Sequence, residues 1–162
     1  MHTQTSAGSA ALHAHDARHQ QPRWGWLVAR DLGALAVLAM GAVHLQQYYD
    51  SYSAIPTIGT LFVVNFVAAT LIGLALLSPL EHVAGRWGGV FVALVTAGGV
   101  ALAGGSFVLL LVSERTPLFG FQEPGYDPSA IALSRETEIA AVVLLSASLV
   151  ARFATKSPKI RW

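Results

Sequence analysis

GAVHLQQYYDSYSAIPTIGTLFVVN, residues 41–65, leaves one apolar run, crosses a short aromatic and polar cluster, and enters a second apolar run. Pro56 has no backbone N–H to give a helix and holds Ile55 in extended backbone, so Ile55-Pro56 is a turn. The stretch therefore reads as the end of one membrane-spanning helix, a short exposed hairpin and the start of the next. His44, Tyr48, Tyr49, Asp50, Tyr52 and Asn65 make it the densest polar chemistry beside any apolar segment of the chain.

The residues on either side carry the same pattern. Of 162 residues, 54% are hydrophobic and only 12% are charged. Soluble domains carry about a quarter charged residues. The low charge, with apolar runs near the roughly 20 residues that cross a bilayer, makes lipid the expected solvent. Spans are expected over Leu32 to Tyr48 (from Leu27 if Arg30 snorkels), Ile58 to Leu77, Gly88 to Val112, and from Ile131 or Glu138 to Phe153,. Ser78-Pro79 ends the second. Ser113 to Arg135, broken by Pro117, Gly120, Pro124, Gly125 and Pro128, is the one long connection, with Phe119, Phe121 and Tyr126 folding it back onto the bundle mouth or bilayer edge,. The fold class is all-α: a four-transmembrane-helix bundle.

Basic residues set the expected orientation. Arg18, Arg23 and Arg30 precede the first span, Arg86 lies between the second and third, and Arg152, Lys156, Lys159 and Arg161 close the chain. The first hairpin has no cation, and the long loop sets Arg115 and Arg135 against several acids. The positive-inside bias then places both termini in the cytoplasm of a plasma (inner) membrane protein and the long loop outside. Trp24, Trp26 and Trp87 sit at the expected interfaces.

Residues 1–22 form an expected disordered, His-rich cytoplasmic tail, 23–155 the membrane domain, and 156–162 a basic cytoplasmic tail. No apolar run follows a short basic start, so no cleavable leader is expected. His13, His15 and His19 are weak candidates for a divalent metal, beside the plainer reading of a solvated tail. The chain has no cysteine, and a net charge of +1 with no clustered basic face argues against nucleic acid as a partner,.

Gly89, Ala93, Ala97, Ala101 and Gly105 recur every four residues in the third span. Such a small-residue row lets another backbone approach closely, in this chain or another subunit. Asn65, Ala69 and Gly73 offer a matching line in the second span, and Gly33 and Gly41 in the first.

Ionisable residues at membrane depth are functional hypotheses by default. A polar cluster toward the outer leaflet is expected from His44 with Glu138, supported by Asn65, Tyr48, Asp50 and Glu136. A His–carboxylate pair can relay protons, hold a metal or bind the head of a quinone. Plainer readings stand beside it: His44 fixing helix register, and Glu136 and Glu138 meeting the dipole in the first turn of a helix capped from Ser134 and Thr137. His44 and His82 fall on opposite sides and cannot share a haem iron, which leaves haem only through His44 alone or with another subunit. No G-x-S-x-G, H-E-x-x-H, Walker or G-x-G-x-x-G pattern occurs,.

His44-Leu45, Tyr52, Ile55-Pro56-Thr57-Ile58-Gly59 and Leu61-Phe62 resemble small four-span membrane proteins common in actinobacteria. The likeness covers all four spans and excludes the His-rich tail. That family has no assigned activity, so the resemblance implies topology and transfers no catalytic residue. The leading expectation is a non-enzymatic accessory or assembly subunit of a larger membrane complex, respiratory or cell-envelope, in contact with other subunits or copies of itself. The alternatives are a redox or proton-handling protein using His44 and Glu138 with haem or quinone, and a small oligomeric transporter.

Overall fold

The computed structural model describes residues 24–79, 81, 85–125 and 127–154. Among them the chain forms helices α1 (Trp24–Gln47), α2 (Pro56–Leu77), α3 (Gly88–Ser113) and α4 (Pro128–Ala154). Each is long and apolar enough to cross a bilayer,. No strand occurs among the described residues; Leu118 and Phe121 make one isolated antiparallel bridge. His13, His15 and His19 and both expected tails lie outside the described residues.

The helices run up and down. α1 packs against α2 and α4, and α3 closes the ring against α4 and, more thinly, against α2. Trp24 and Ala154 share one end of the bundle, here the terminal end; residues 48–55 and 114–127 share the other, the hairpin end.

Side-chain size is distributed as a lipid solvent demands. α2 and α3 contain no charged residue, and their outward faces carry exposed Leu71, Leu74, Val90 and Leu94. Inward they present small groups such as Ala69, Gly73, Gly99 and Ala103. With no hydrophobic gain from joining helices in lipid, close backbone approach supplies the association. Gly41 shows how close: a Cβ there would stand 2.8 Å from the Ala69 Cβ. The Asn65, Ala69 and Gly73 line of α2 is buried, and at Ala69 and Gly73 its partner is α1. The buried face of α3 is Gly88, Val92, Thr96, Gly99 and Ala103. Of the small-residue row noted in the sequence, Gly89 and Ala93 are half-buried, while Ala97, Ala101 and Gly105 are exposed.

Helix ends differ from the sequence expectation at three places, the first being the start of α1 at Trp24, ahead of the expected Leu32 or Leu27. α1 does not stop at Tyr48: a π-helical turn over Tyr48–Tyr52 prolongs it, with the Ser53 amide donating to the Tyr48 carbonyl at 2.9 Å. The hairpin is correspondingly tight, since a Cβ on Gly59 would lie 2.7 Å from the Tyr52 carbonyl oxygen. α4 starts at Pro128, because Asp127 Oδ1 accepts the Ser129 and Ala130 amides at 3.1 and 3.0 Å. An Asx cap followed by proline is a strong helix start. Glu136 and Glu138 therefore lie beyond the first turn, and the cap expected from Ser134 and Thr137 is supplied by Asp127 instead.

The terminal end is clamped by Arg152, expected as part of a basic tail but buried in the last turn of α4. Its guanidinium donates to Glu81 Oε1 at 2.5 Å and to the Gly89 carbonyl at 2.9 Å, and lies 5.3 Å from the Trp26 ring centroid. Ser148 Oγ donates to the Trp26 carbonyl at 3.1 Å, tying α4 to α1.

Candidate functional site

Near the hairpin end the thin α2–α3 seam leaves a cavity of about 300 Å³. Nearly half of its lining residues are leucine, valine, isoleucine or phenylalanine. His44 of α1, Asn65 of α2, Ser106 of α3, and Ser134 and Glu138 of α4 supply much of its polar lining. Every helix thus contributes at least one polar group to one apolar space.

Helical spacing explains the arrangement on α4: Ser134 and Glu138 are one turn apart, and Ser134 Oγ donates to Glu138 Oε1 at 3.2 Å,. On α1, His44 Nδ1 lies 2.9 Å from the Met40 carbonyl one turn back. A carbonyl only accepts, so Nδ1 carries a proton, and in the neutral ring Nε2 presents a lone pair. That nitrogen faces Glu138 Oε1 at 3.9 Å, with the two side chains 11% and 1% exposed. The separation is too long for a direct hydrogen bond and short enough for one atom of a third group to bridge.

Across the seam, Asn65 Nδ2 donates to Ser106 Oγ at 2.5 Å. Two oxygens in this cluster are buried with no hydrogen-bond partner among the described residues: Asn65 Oδ1 and Glu138 Oε2. Leaving a buried polar group unmatched costs about 1–3 kcal/mol. Both residues line the cavity, so the two unmatched oxygens belong to its polar wall.

An aromatic wall and a roof complete the site. Phe62 stacks on Tyr52 at 4.6 Å between centroids and lies 5.0 Å from the His44 ring; Phe121 meets Tyr52 edge-on at 5.7 Å. The roof is the 114–127 connection. Leu118 and Phe121 exchange backbone hydrogen bonds around Phe119 and Gly120, both at positive φ (51° and 81°), the geometry of a tight type I′ turn,. Glu123 is buried beneath: it accepts the Tyr52 hydroxyl and, at 2.8 Å, the Gly125 amide, while its own amide donates to the Ser113 carbonyl at 2.9 Å. Arg135 pairs with Glu114 and fastens the loop to α4.

Of the expected cluster, His44, Asn65 and Glu138 line this cavity together. Tyr48 is half-buried against Tyr49, and Asp50 and Glu136 are exposed away from it. At 1.5 Å per residue, His44 lies roughly 12 Å below Tyr52, Asn65 roughly 13 Å beyond Pro56 and Glu138 roughly 15 Å into α4,. The site is deeper than the sequence suggested, because the π turn and the Asp127 cap lengthen both helices at this end. Sequence reasoning named Tyr52 in the hairpin and Ser134 as a capping group without placing either at the site, and it passed over Ser106 and Glu123. Ser106 is a polar residue inside an apolar span and Ser134 is one turn before Glu138, so both carried a usable signal. Nothing local marks Glu123 as buried.

Among the described residues no group of three or more His, Cys, Asp or Glu is placed to hold a metal ion. No protein-family model, curated protein or solved structure matches the chain.

Proposed function

We propose that this protein is a multi-pass plasma-membrane protein that binds the ring head of a membrane quinone and exchanges a proton with it through His44 and Glu138. The observation that carries the reading is that Asn65 and Glu138 line one largely apolar cavity and each holds a buried oxygen, Oδ1 and Oε2, with no hydrogen-bond partner among the described residues. Buried acceptors in an apolar pocket suit a flat ligand with polar groups at its edge. The Phe62 and Tyr52 rings supply a surface for a planar head. A hydroxyl of the reduced head, placed between His44 Nε2 and Glu138 Oε1, meets two groups able to take its proton. The geometry favours a quinone over haem, since the one free nitrogen of His44 faces a carboxylate 3.9 Å away rather than open space for a macrocycle.

Both termini are cytoplasmic in this reading. Arg30 and Arg86 lie toward the terminal end, where Arg18, Arg23 and the basic C-terminal segment also join the chain, in line with the positive-inside bias. The cavity then belongs to the outer leaflet.

The test is extraction of the purified protein with organic solvent, followed by titration with decylubiquinone in detergent. Near-stoichiometric quinone in the extract, or saturable binding that Glu138→Leu weakens at least tenfold, is the expected result. An extract no richer in quinone than that of an unrelated four-span protein, with no saturable binding, sinks the reading. A second reading, an accessory subunit of a larger complex, is favoured by the exposed small residues Ala97, Ala101 and Gly105, where a foreign helix could approach closely,. Mild-detergent pull-down at fixed stoichiometry tests it.

A further inference from the structure

The cavity is roofed by Leu118, Phe121 and Glu123 of the long loop, yet several residues in its wall are also exposed on the flank of the bundle. Leu61 and Val64 of α2 are 36% and 56% exposed, Leu109 of α3 is 41% exposed, and Ala101 and Gly105 are exposed between them. A residue that both lines a cavity and faces outward marks its mouth. The mouth therefore opens sideways through the α2–α3 seam, onto the surface that acyl chains would cover.

We infer that the ligand enters laterally from the bilayer and carries a single long hydrocarbon chain, which lies over Ala101 and Gly105 while its head reaches Asn65 and Glu138. The inference rests on the proposed head-group site and adds the chain, its path and the residues that admit it. Large side chains flank the path: Leu94 and Val108 on α3 and Val64 on α2 are all more than half exposed. At Gly105 a Cβ would meet nothing within 4 Å. The small residues thus leave a trough that the described residues do not fill, continuous with the cavity that Asn65 and Glu138, each with a buried unmatched oxygen, help to line. A trough ending on buried acceptors suits a chain with a polar head, whereas a helix from a second copy would leave those oxygens unmatched.

The experiment compares decylubiquinone with 2,3-dimethoxy-5-methylbenzoquinone, the same ring without a chain. Both are titrated into full-length protein in nanodiscs, as wild type, Gly105→Leu and Ala101→Leu. Comparing proteins for one ligand cancels partitioning into lipid. The open space at Gly105 lets leucine fit without clash, and the Ala101 variant checks the result at a second position. Each leucine blocks contact with a few methylenes, so decylubiquinone binding should fall about tenfold or more in both variants. The chainless ring should bind all three proteins within about twofold. Equal loss for both ligands, or no loss for either, overturns lateral chain binding. So does a wild-type dimer that Gly105→Leu turns into monomer, which would make the row an interface between copies. Failure of wild type to bind either ligand sinks the head-group reading itself, a separate outcome.

Discussion

Glu138 is 1% exposed, and one of its two carboxyl oxygens has no hydrogen-bond partner among the described residues. Leucine has a similar volume and no polar atom to desolvate. Glu138→Leu is therefore expected to leave the fold intact and raise its stability by about 1–3 kcal/mol while removing ligand binding. Thermal unfolding in detergent beside a binding titration checks both halves; a variant that melts well below wild type would make Glu138 structural. His44, Asn65 and Glu138 were legible in the sequence because a polar group in a long apolar run stands out by its cost. Their mutual placement was only partly legible. Tyr48, Asp50 and Glu136 are near them along the chain, but helical rotation turns those three away.

At the scale of elements, the start of α4 depends on one side chain. The Asp127 carboxyl is held below its ordinary range, first by the Ser129 hydroxyl and then by the Ala130 amide. A folded-state value below the unfolded one means that the cap's contribution is complete above the unfolded value and is lost as pH falls through the folded one. Protection of the Ser129, Ala130 and Ile131 amides, taken relative to their intrinsic exchange rates at each pH, should hold from neutral pH down to the usual carboxylate range and fall below it. Asp127→Asn, which keeps an acceptor but cannot titrate there, should flatten that dependence. Protection that is insensitive to pH in wild type would remove Asp127 from this role. The four spans were readable from length and apolarity, and their ends were not. The π turn at Tyr48–Tyr52 and the Asx cap at Asp127 are decided by a few hydrogen bonds that hydropathy does not register. The α3 face was ambiguous for another reason: small residues fill two neighbouring rows, Gly88–Ala103 and Gly89–Gly105, and only the packed neighbours distinguish them.

For the whole molecule, the absence of cysteine in the sequence makes single-cysteine labelling clean. Ser53→Cys and Gln122→Cys, both at exposed hairpin-end positions, should react in intact cells with a membrane-impermeant maleimide. Arg86→Cys, exposed toward the terminal end, should react only after lysis. The opposite pattern would overturn the proposed orientation and put the cavity in the inner leaflet. The roof over that cavity has a mechanical side as well. Phe119 is 65% exposed at the tip of a turn whose backbone is strained for so bulky a residue, and a few bonds lead from it through Phe121 and Glu123 to Tyr52,. A phenyl ring on so short a stem is a handle: whatever grips it is only a few residues from the ceiling of the chamber.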